Sequence, residues 1–412
     1  MSNPTQEELI YDWNKVNSPP LSLGQTVEFD DETLRDGIQS PSVLDPSIDL
    51  KIKILHFMED LGIQAVDIGL PGAGPRAVED VTRLAKEIAD CRMKIAPNCA
   101  ARTVRADIQP VIDISQKVGI PIEASTFLGS SPIRQYAEGW DLDRLLSRTE
   151  DSVKFAVDNG LSVMYVTEDT TRARPEVLKK LYTTAIECGA RRLCFADTVG
   201  HATPHGAAQL ITFGRKIVAD SGENVKIDWH GHKDRGLSVP NCLAAVAAGA
   251  DRVHGCALGI GERVGNAPID LLLVNFKLLG LIDNDLTKLP DYCNLVSQAC
   301  GVPIPKNYPV MGEDAFRTAT GVHAAAVIKA YSKGDAWLAN RIYSSVPAEE
   351  IGREQRIEIG HMSGKSNVIF WLRKRGYEPT DGLVEMIFKK AKSLNRLMTD
   401  DEIKSVIEKS RT

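Results

Sequence analysis

Two short segments carry the residue types that could do chemistry together: Asp31-Glu32-Thr33-Leu34-Arg35-Asp36-Gly37 and Trp229-His230-Gly231-His232-Lys233-Asp234. On an extended strand His230 and His232 project from one face, because strand side chains alternate. Asp36 adds a carboxylate, and Arg35 sets a guanidinium beside it. Two imidazoles and a carboxylate hold a divalent metal while leaving positions open to a chelating substrate. An always-charged arginine next to that metal suits an oxygen that gains negative charge during reaction. The expected chemistry is metal-assisted attack at a carbonyl. Plainer readings exist: the histidines could satisfy buried backbone groups, and Arg35 could merely neutralise Asp36. For Arg35 and Asp36 to reach one mouth, the chain must turn at Asp36-Gly37, since extended neighbours point to opposite sides.

These residues need a scaffold, and the flanking pattern supplies one. Between about residues 24 and 282, β-rich runs at 26–30, 65–70, 94–98, 122–127, 163–167, 192–196, 226–229 and 252–257 alternate with helical patterns. Eight strands alternating with helices predict a (β/α)8 TIM barrel. The first intervening helix begins near Pro46-Ser47, carries Ile48, Ile52, Leu55, Met58 and Leu61 at helical spacing, and ends at Gly62. Asp36, Glu168, Thr198 and His232 fall at or just past C-terminal strand ends, the face where such a barrel reacts. The Thr198 hydroxyl could donate to a substrate carboxylate or cap a helix. Glu168 could support the site or cap a helix. Gly259-Ile260-Gly261-Glu262-Arg263-Val264-Gly265-Asn266 follows the eighth strand and lacks the spacing and position of a dinucleotide loop. Its glycines allow close backbone approach, which positions Asn266 to reach the metal or its water.

Residues 283–412 break the rhythm. Pro290, Pro303, Pro305 and Pro309 punctuate a connection, and helical patterns follow at 314–332, 366–375, 383–394 and 399–409. The expected organisation is a catalytic barrel over 1–282, a helical subdomain over 283–342 that carries His323, and a second over 343–412. A lone histidine on a helix, such as His323, reads by itself as structural.

Composition narrows the class. Hydrophobic residues at 43% and charged residues at 25% describe a globular chain with ample core. A net charge of −6 with no long basic run argues against nucleic acid or an acidic membrane surface as partner. The polar N-terminus lacks a signal-peptide core, and no apolar stretch approaches a membrane span. The cysteines include no C-x-x-C pair, and Cys99, Cys194 and Cys256 read as small buried hydrophobes. A reduced, cytoplasmic setting is expected.

These motifs resemble the metal-dependent barrel family that includes 2-isopropylmalate, citramalate and homocitrate synthases and 3-hydroxy-3-methylglutaryl-CoA lyase. The likeness rests on residues 31–41, Asp197-Thr198-Val199-Gly200, His230-Gly231-His232, residues 259–267, Gly321-Val322-His323 and residues 343–364. It implies Claisen-type condensation of acetyl-CoA with a 2-oxo acid that chelates a divalent metal (Mg, Mn or Zn) held by Asp36, His230, His232 and Asn266. Arg35 would stabilise the developing alkoxide, and Thr198 and Glu168 would help to bind the oxo acid. His323, supported by Glu262, would be the base, and Tyr343 would close over the site. In the related synthases the helical extension crosses to a partner, which implies a homodimer. The likeness is nearest to the isopropylmalate synthases, implying 2-oxoisovalerate as oxo acid and a place in leucine biosynthesis. The chain ends soon after the second subdomain, so the family's leucine-sensing domain is expected to be absent. Ile133-Arg134-Gln135-Tyr136 instead resembles homocitrate synthases, whose arginine reads a distal carboxylate. Against that, the metal carboxylate here is Asp36, not a glutamate, and Gly265-Asn266-Ala267 follows the isopropylmalate pattern. Lyases of the family carry a cysteine-bearing loop before the final Gly-Asn and end soon after the barrel. This chain has Gly259-Ile260-Gly261-Glu262 there and a long extension.

Overall fold

A computed structural model describes residues 5–16 and 27–410. The polar start at 1–4 and position 26 of the expected first strand lie outside them. Eight strands close a parallel barrel in chain order: β1 Glu28–Asp31, β2 Ala65–Asp67, β3 Ala96–Arg102, β4 Glu123–Gly129, β5 Val163–Glu168, β6 Arg192–Asp197, β7 Lys226–Gly231 and β8 Arg252–Gly255. β8 pairs with β1 in parallel, Phe29 opposite Val253, which closes the ring. All eight expected strands are present, β3 shifted toward its C-terminal end. The helix after β1 spans Ile48–Asp60, with Ser47 at its N-cap and Ile54, Leu55 and Met58 buried.

Strand alternation sorts the side chains. Phe29, Tyr165, Phe195, Ile227 and Trp229 are buried in the main apolar core, whereas their sequence neighbours Asp228 and His230 are polar and buried. The barrel interior is unusually polar for a layer usually filled by branched aliphatics. Arg252 Nε donates to Asp228 Oδ2 at 2.6 Å and Arg192 Nη1 to Asp228 Oδ1 at 2.7 Å. Asn98 Nδ2 reaches both oxygens of Asp30 at 3.0 and 2.9 Å. Charges buried at this depth persist because they are paired and hydrogen-bonded.

After the barrel the structure departs from the expected elements in two places. Pro290 does not interrupt: it sits in the first turn of a helix over Leu289–Cys300, where its missing N–H costs nothing. The expected helix over 314–332 begins only at Gly321 and runs to Ser332. Before it, Arg317–Thr318 pairs in parallel with Arg356–Ile357. Gly321 lies so close to the backbone of Gly364 that a Cβ there would stand 2.8 Å from its nitrogen. Helices at Ala336–Arg341, Lys365–Lys374, Asp381–Lys392 and Asp400–Lys409 complete the region. Val368, Trp371, Leu372, Leu383, Val384 and Ile387 form part of a separate apolar cluster. Among the described residues, no helix is long and apolar enough to cross a membrane.

Candidate metal centre and its cavity

The C-terminal mouth of the barrel holds a cavity of about 260 Å³ whose lining includes Arg35, Asp36, Glu168, Thr198, His230, His232 and Glu262. A larger groove of about 520 Å³ lies elsewhere, bordered by Lys53, His56, Phe57 and Leu295. The buried Asp36–His230–His232 group lines the smaller cavity and not the groove, so the chemistry points to that cavity.

The segment after β1 turns at once. The N–H groups of Arg35 and Gly37 both donate to the Glu32 carbonyl, at 3.1 and 3.0 Å. This turn starts earlier than Asp36-Gly37, and it brings Arg35 and Asp36 to the same mouth. Arg35 is pinned there by carboxylates: Nε donates to Asp67 Oδ2 at 2.6 Å, Nη1 to Asp36 Oδ2 at 3.1 Å, and Nη2 lies 3.2 Å from Glu32 Oε1. Of the guanidinium's five N–H groups, those left over remain for a ligand.

His230 Nε2 lies 3.7 Å and His232 Nε2 3.8 Å from Asp36 Oδ2. These atoms are too far apart to hydrogen-bond and close enough to share an ion. Asp36 Oδ1, His232 Nδ1 and Asn266 Oδ1 are buried without a hydrogen-bond partner. Asn266 is bridged to His232 backbone to backbone, although it is not a lining residue. Its loop closes tightly: at Gly265, φ +100°, a Cβ would overlap the Gly259 carbonyl oxygen. Burial and the neighbouring His230 pull His232 down to about 4. Burial would raise the Asp36 carboxyl, but Arg35 and His230 outweigh it and hold it below its usual value. A neutral imidazole and an ionised carboxylate are the protonation states a metal requires. The donor set therefore fits a divalent ion.

Thr198 accepts from the Asp169 N–H at 2.8 Å, leaving its own O–H free to donate. It is not a helix cap: the next helix, Pro204–Ser221, is capped by Thr203. Burial raises the Glu168 carboxyl against the pull of Arg134 and Arg35. Arg134 does not line the cavity; it lies 3.4 Å from Glu138 and is half exposed. His323 and Tyr343 stack on each other with ring centroids 4.4 Å apart. Neither lines the cavity of its own chain.

The sequence reading missed Glu32 and His254, both lining residues. Glu32, His230 and His254 form a second group with metal-ligand atoms, directly beneath the first. The signal was available as period-two spacing: Asp30 and Glu32, Asp228 with His230 and His232, Arg252 and His254. A further group, His56, Glu87 and Cys91, is away from the barrel mouth. There His56 Nε2 pairs with Glu87 Oε1 at 2.7 Å, and the Cys91 thiol donates to the same oxygen at 3.4 Å.

The HMGL-like family profile matches residues 26–296. A homocitrate synthase AksA of Methanopyrus kandleri is 32% identical over 393 residues, covering 94% of this chain and 93% of that protein. A 2-isopropylmalate synthase of Sulfolobus acidocaldarius is 33% identical over 371 residues, covering 89% and 90%. Among solved structures, the HMG-CoA lyase of Bacillus subtilis superposes with a TM-score of 0.57 at 19% identity, over 68% of this chain and 96% of that one, a likeness of fold. A matched profile that takes in the whole barrel, with relatives aligned through barrel and helical region alike, places this chain in the HMGL-like family.

Proposed function

We infer that this chain condenses acetyl-CoA with a 2-oxo acid, 2-oxoisovalerate before others, and that water then hydrolyses the thioester, giving 2-isopropylmalate and free CoA in leucine biosynthesis. The observation that carries the reading is the mixed lining of one cavity: Asp36, His230, His232 and the pinned Arg35 share it with the apolar Leu70, Phe127, Met164 and Val166. The first set suits an oxo-acid head and the second a branched apolar tail.

A divalent ion held by Asp36, His230, His232 and Asn266 would polarise the oxo carbonyl. Arg35 directs its free N–H groups at the oxygen that becomes an alkoxide. Thr198 donates its O–H to the carboxylate of the oxo acid. Glu168 lines the same cavity, its carboxyl raised by burial against the pull of Arg134 and Arg35. His323 takes the methyl proton of acetyl-CoA, supported by Glu262, with Tyr343 stacked upon it. His323 is outside its own chain's cavity, so this role is met by a homodimer in which the helical region reaches the partner's barrel.

A second reading has a specific observation behind it. Arg134 is half exposed, its charge acts on Glu168, and a homocitrate synthase aligns over nearly its full length. A sister synthase would use Arg134 to read a distal carboxylate.

Free-CoA release from acetyl-CoA across a panel of 2-oxo acids tests both. Preference for 2-oxoisovalerate supports the first reading, and preference for 2-oxoglutarate replaces it with the second. Cleavage of a 3-hydroxyacyl-CoA, with no condensation, would make the chain a lyase. His230→Ala and His232→Ala should each abolish turnover, and chelation should do so reversibly, with activity returning on Mg, Mn or Zn. Full activity in a metal-free preparation would refute the mechanism.

A further inference from the structure

Beside the Asp36–His230–His232 group, Glu32 joins Arg35, His230 and His254 at one carboxylate. Its Oε1 accepts from His254 Nδ1 at 2.9 Å and lies 3.2 Å from Arg35 Nη2. Its Oε2 stands 2.9 Å from His230 Nδ1, off the line of that N–H. On the far side of His254, Nε2 faces Asp228 Oδ2 at 2.9 Å and Asp30 Oδ2 at 3.7 Å. Carboxylates only accept, so both nitrogens of His254 carry hydrogens and the ring is a cation. The buried carboxylates of Asp30, Asp228 and Glu32 surround the ring and hold it so. Asp228 is itself fixed by Arg252 and Arg192, so the support reaches down to the floor of the barrel.

The deeper group of Glu32, His230 and His254 could be read as the metal site instead. Its geometry speaks against this. Tetrahedral metal–ligand bonds of about 2.0–2.1 Å set neighbouring ligand atoms roughly 3.3 Å apart. The contacts within this group are 2.9 Å, shorter than that spacing, and the one between His254 and Glu32 is a hydrogen bond. Both His254 nitrogens are occupied by hydrogens, whereas the 3.7–3.8 Å spacing of the upper group leaves room for an ion.

We propose that Glu32, braced by the His254 cation, is a positioning residue that keeps the His230 proton on Nδ1, leaves Nε2 bare toward Asp36, and anchors Arg35 to the same post. The nearest acceptor to His230 Nδ1 is Glu32, and a histidine ligand is oriented by what its other nitrogen donates to. This inference rests on the reading of Asp36, His230 and His232 as metal ligands. It adds that their competence depends on two residues that do not touch the ion.

The test uses the full chain and reads metal binding and tautomer state, not turnover. In metal-free wild type near neutral pH, nitrogen-15 NMR of the histidines, with His230→Ala for assignment, should show His230 protonated on Nδ1. The opposite tautomer overturns the proposal without any variant of the network. Cobalt(II) titration should then rank the variants. Glu32→Gln can turn an amide N–H toward His230 and favour the Nε2–H form, so it should bind roughly 10–100-fold more weakly. His254→Leu removes the brace and should lose affinity similarly. His254→Gln keeps a donor for Glu32 and should restore most of it. Wild-type affinity in both Glu32→Gln and His254→Leu overturns the proposal while the metal reading stands. If His254→Leu fails to fold, the tautomer and Glu32→Gln arms still decide. If wild type binds no cobalt, the metal reading falls and this inference with it.

Discussion

At the scale of single residues, Arg35 is the most constrained side chain of the site. Asp67, Asp36 and Glu32 hold it from three directions, so its free N–H groups have a fixed aim before any substrate arrives. Lysine keeps the charge but offers a flexible point charge in place of the planar fork. Arg35→Lys should therefore lower kcat by roughly 10²–10³ and change KM little, as loss of one preorganised donor does. Steady-state kinetics decides it, and a loss below threefold would mean that Arg35 only balances Asp36. Arg134 gives a complementary case. Under the 2-oxoisovalerate reading Arg134→Ala leaves substrate preference intact, and under the homocitrate-type reading it selectively removes activity on dicarboxylic oxo acids. His230, His232, Asp36 and Arg35 were legible in the sequence because each announces itself to a neighbour one or two positions away. Glu32 and His254 showed only as period-two spacing, and the contact that joins them spans more than two hundred residues.

At the scale of elements, the strands were legible from alternation and turn spacing, and errors arose where tertiary contacts override local pattern. β3, with Ala96, Pro97, Asn98 and Ala100, has little strand propensity of its own and is defined by its pairing with β2 and β4. The segment before Gly321 reads as helical, yet it pairs with residues forty positions later. The helix over Leu289–Cys300 buries Tyr292, whose hydroxyl donates to Asp31 Oδ2 at 2.5 Å and so ties this helix to the end of β1. Burial pushes the Asp31 carboxyl up to about 7, against hydrogen bonds from Thr33 and Tyr292 that pull it down. A raised folded-state value means that the fold holds this proton more tightly than the unfolded chain does. The resulting stabilisation is full below about pH 4 and is lost as pH rises through about 7. Asp31→Asn cannot titrate. The stability of wild type relative to Asp31→Asn should therefore fall between pH 4 and pH 8 in urea unfolding. A difference independent of pH would show that Asp31 is ionised in the fold.

At the scale of the whole molecule, the cavity takes nothing from its own helical region: its lining residues end in sequence at Glu262. Meanwhile that region presents His323 and Tyr343 stacked at its surface, with Val322 next to His323 75% exposed and Met362, whose carbonyl accepts from the Gly321 N–H, 59% exposed. Exposed apolar side chains beside an unburied imidazole suit a surface that a second copy covers. If His323 is the base, its partner cavity belongs to that second copy, and each active site is built from two chains. His230→Ala and His323→Ala should then be inactive alone and complement each other when subunits exchange. In the mixed dimer one site has lost both its imidazole ligand and its base, and the other keeps both. For random exchange at equal amounts, half of all dimers are mixed and each holds one intact site, so activity should return to roughly a quarter of the wild-type level. Exchange is checked independently with two distinguishable tags. Recovery identifies the base as one supplied across the interface. Complete exchange without recovery would show that His323 serves its own chain after movement of the helical region, or that the proton is taken by another group.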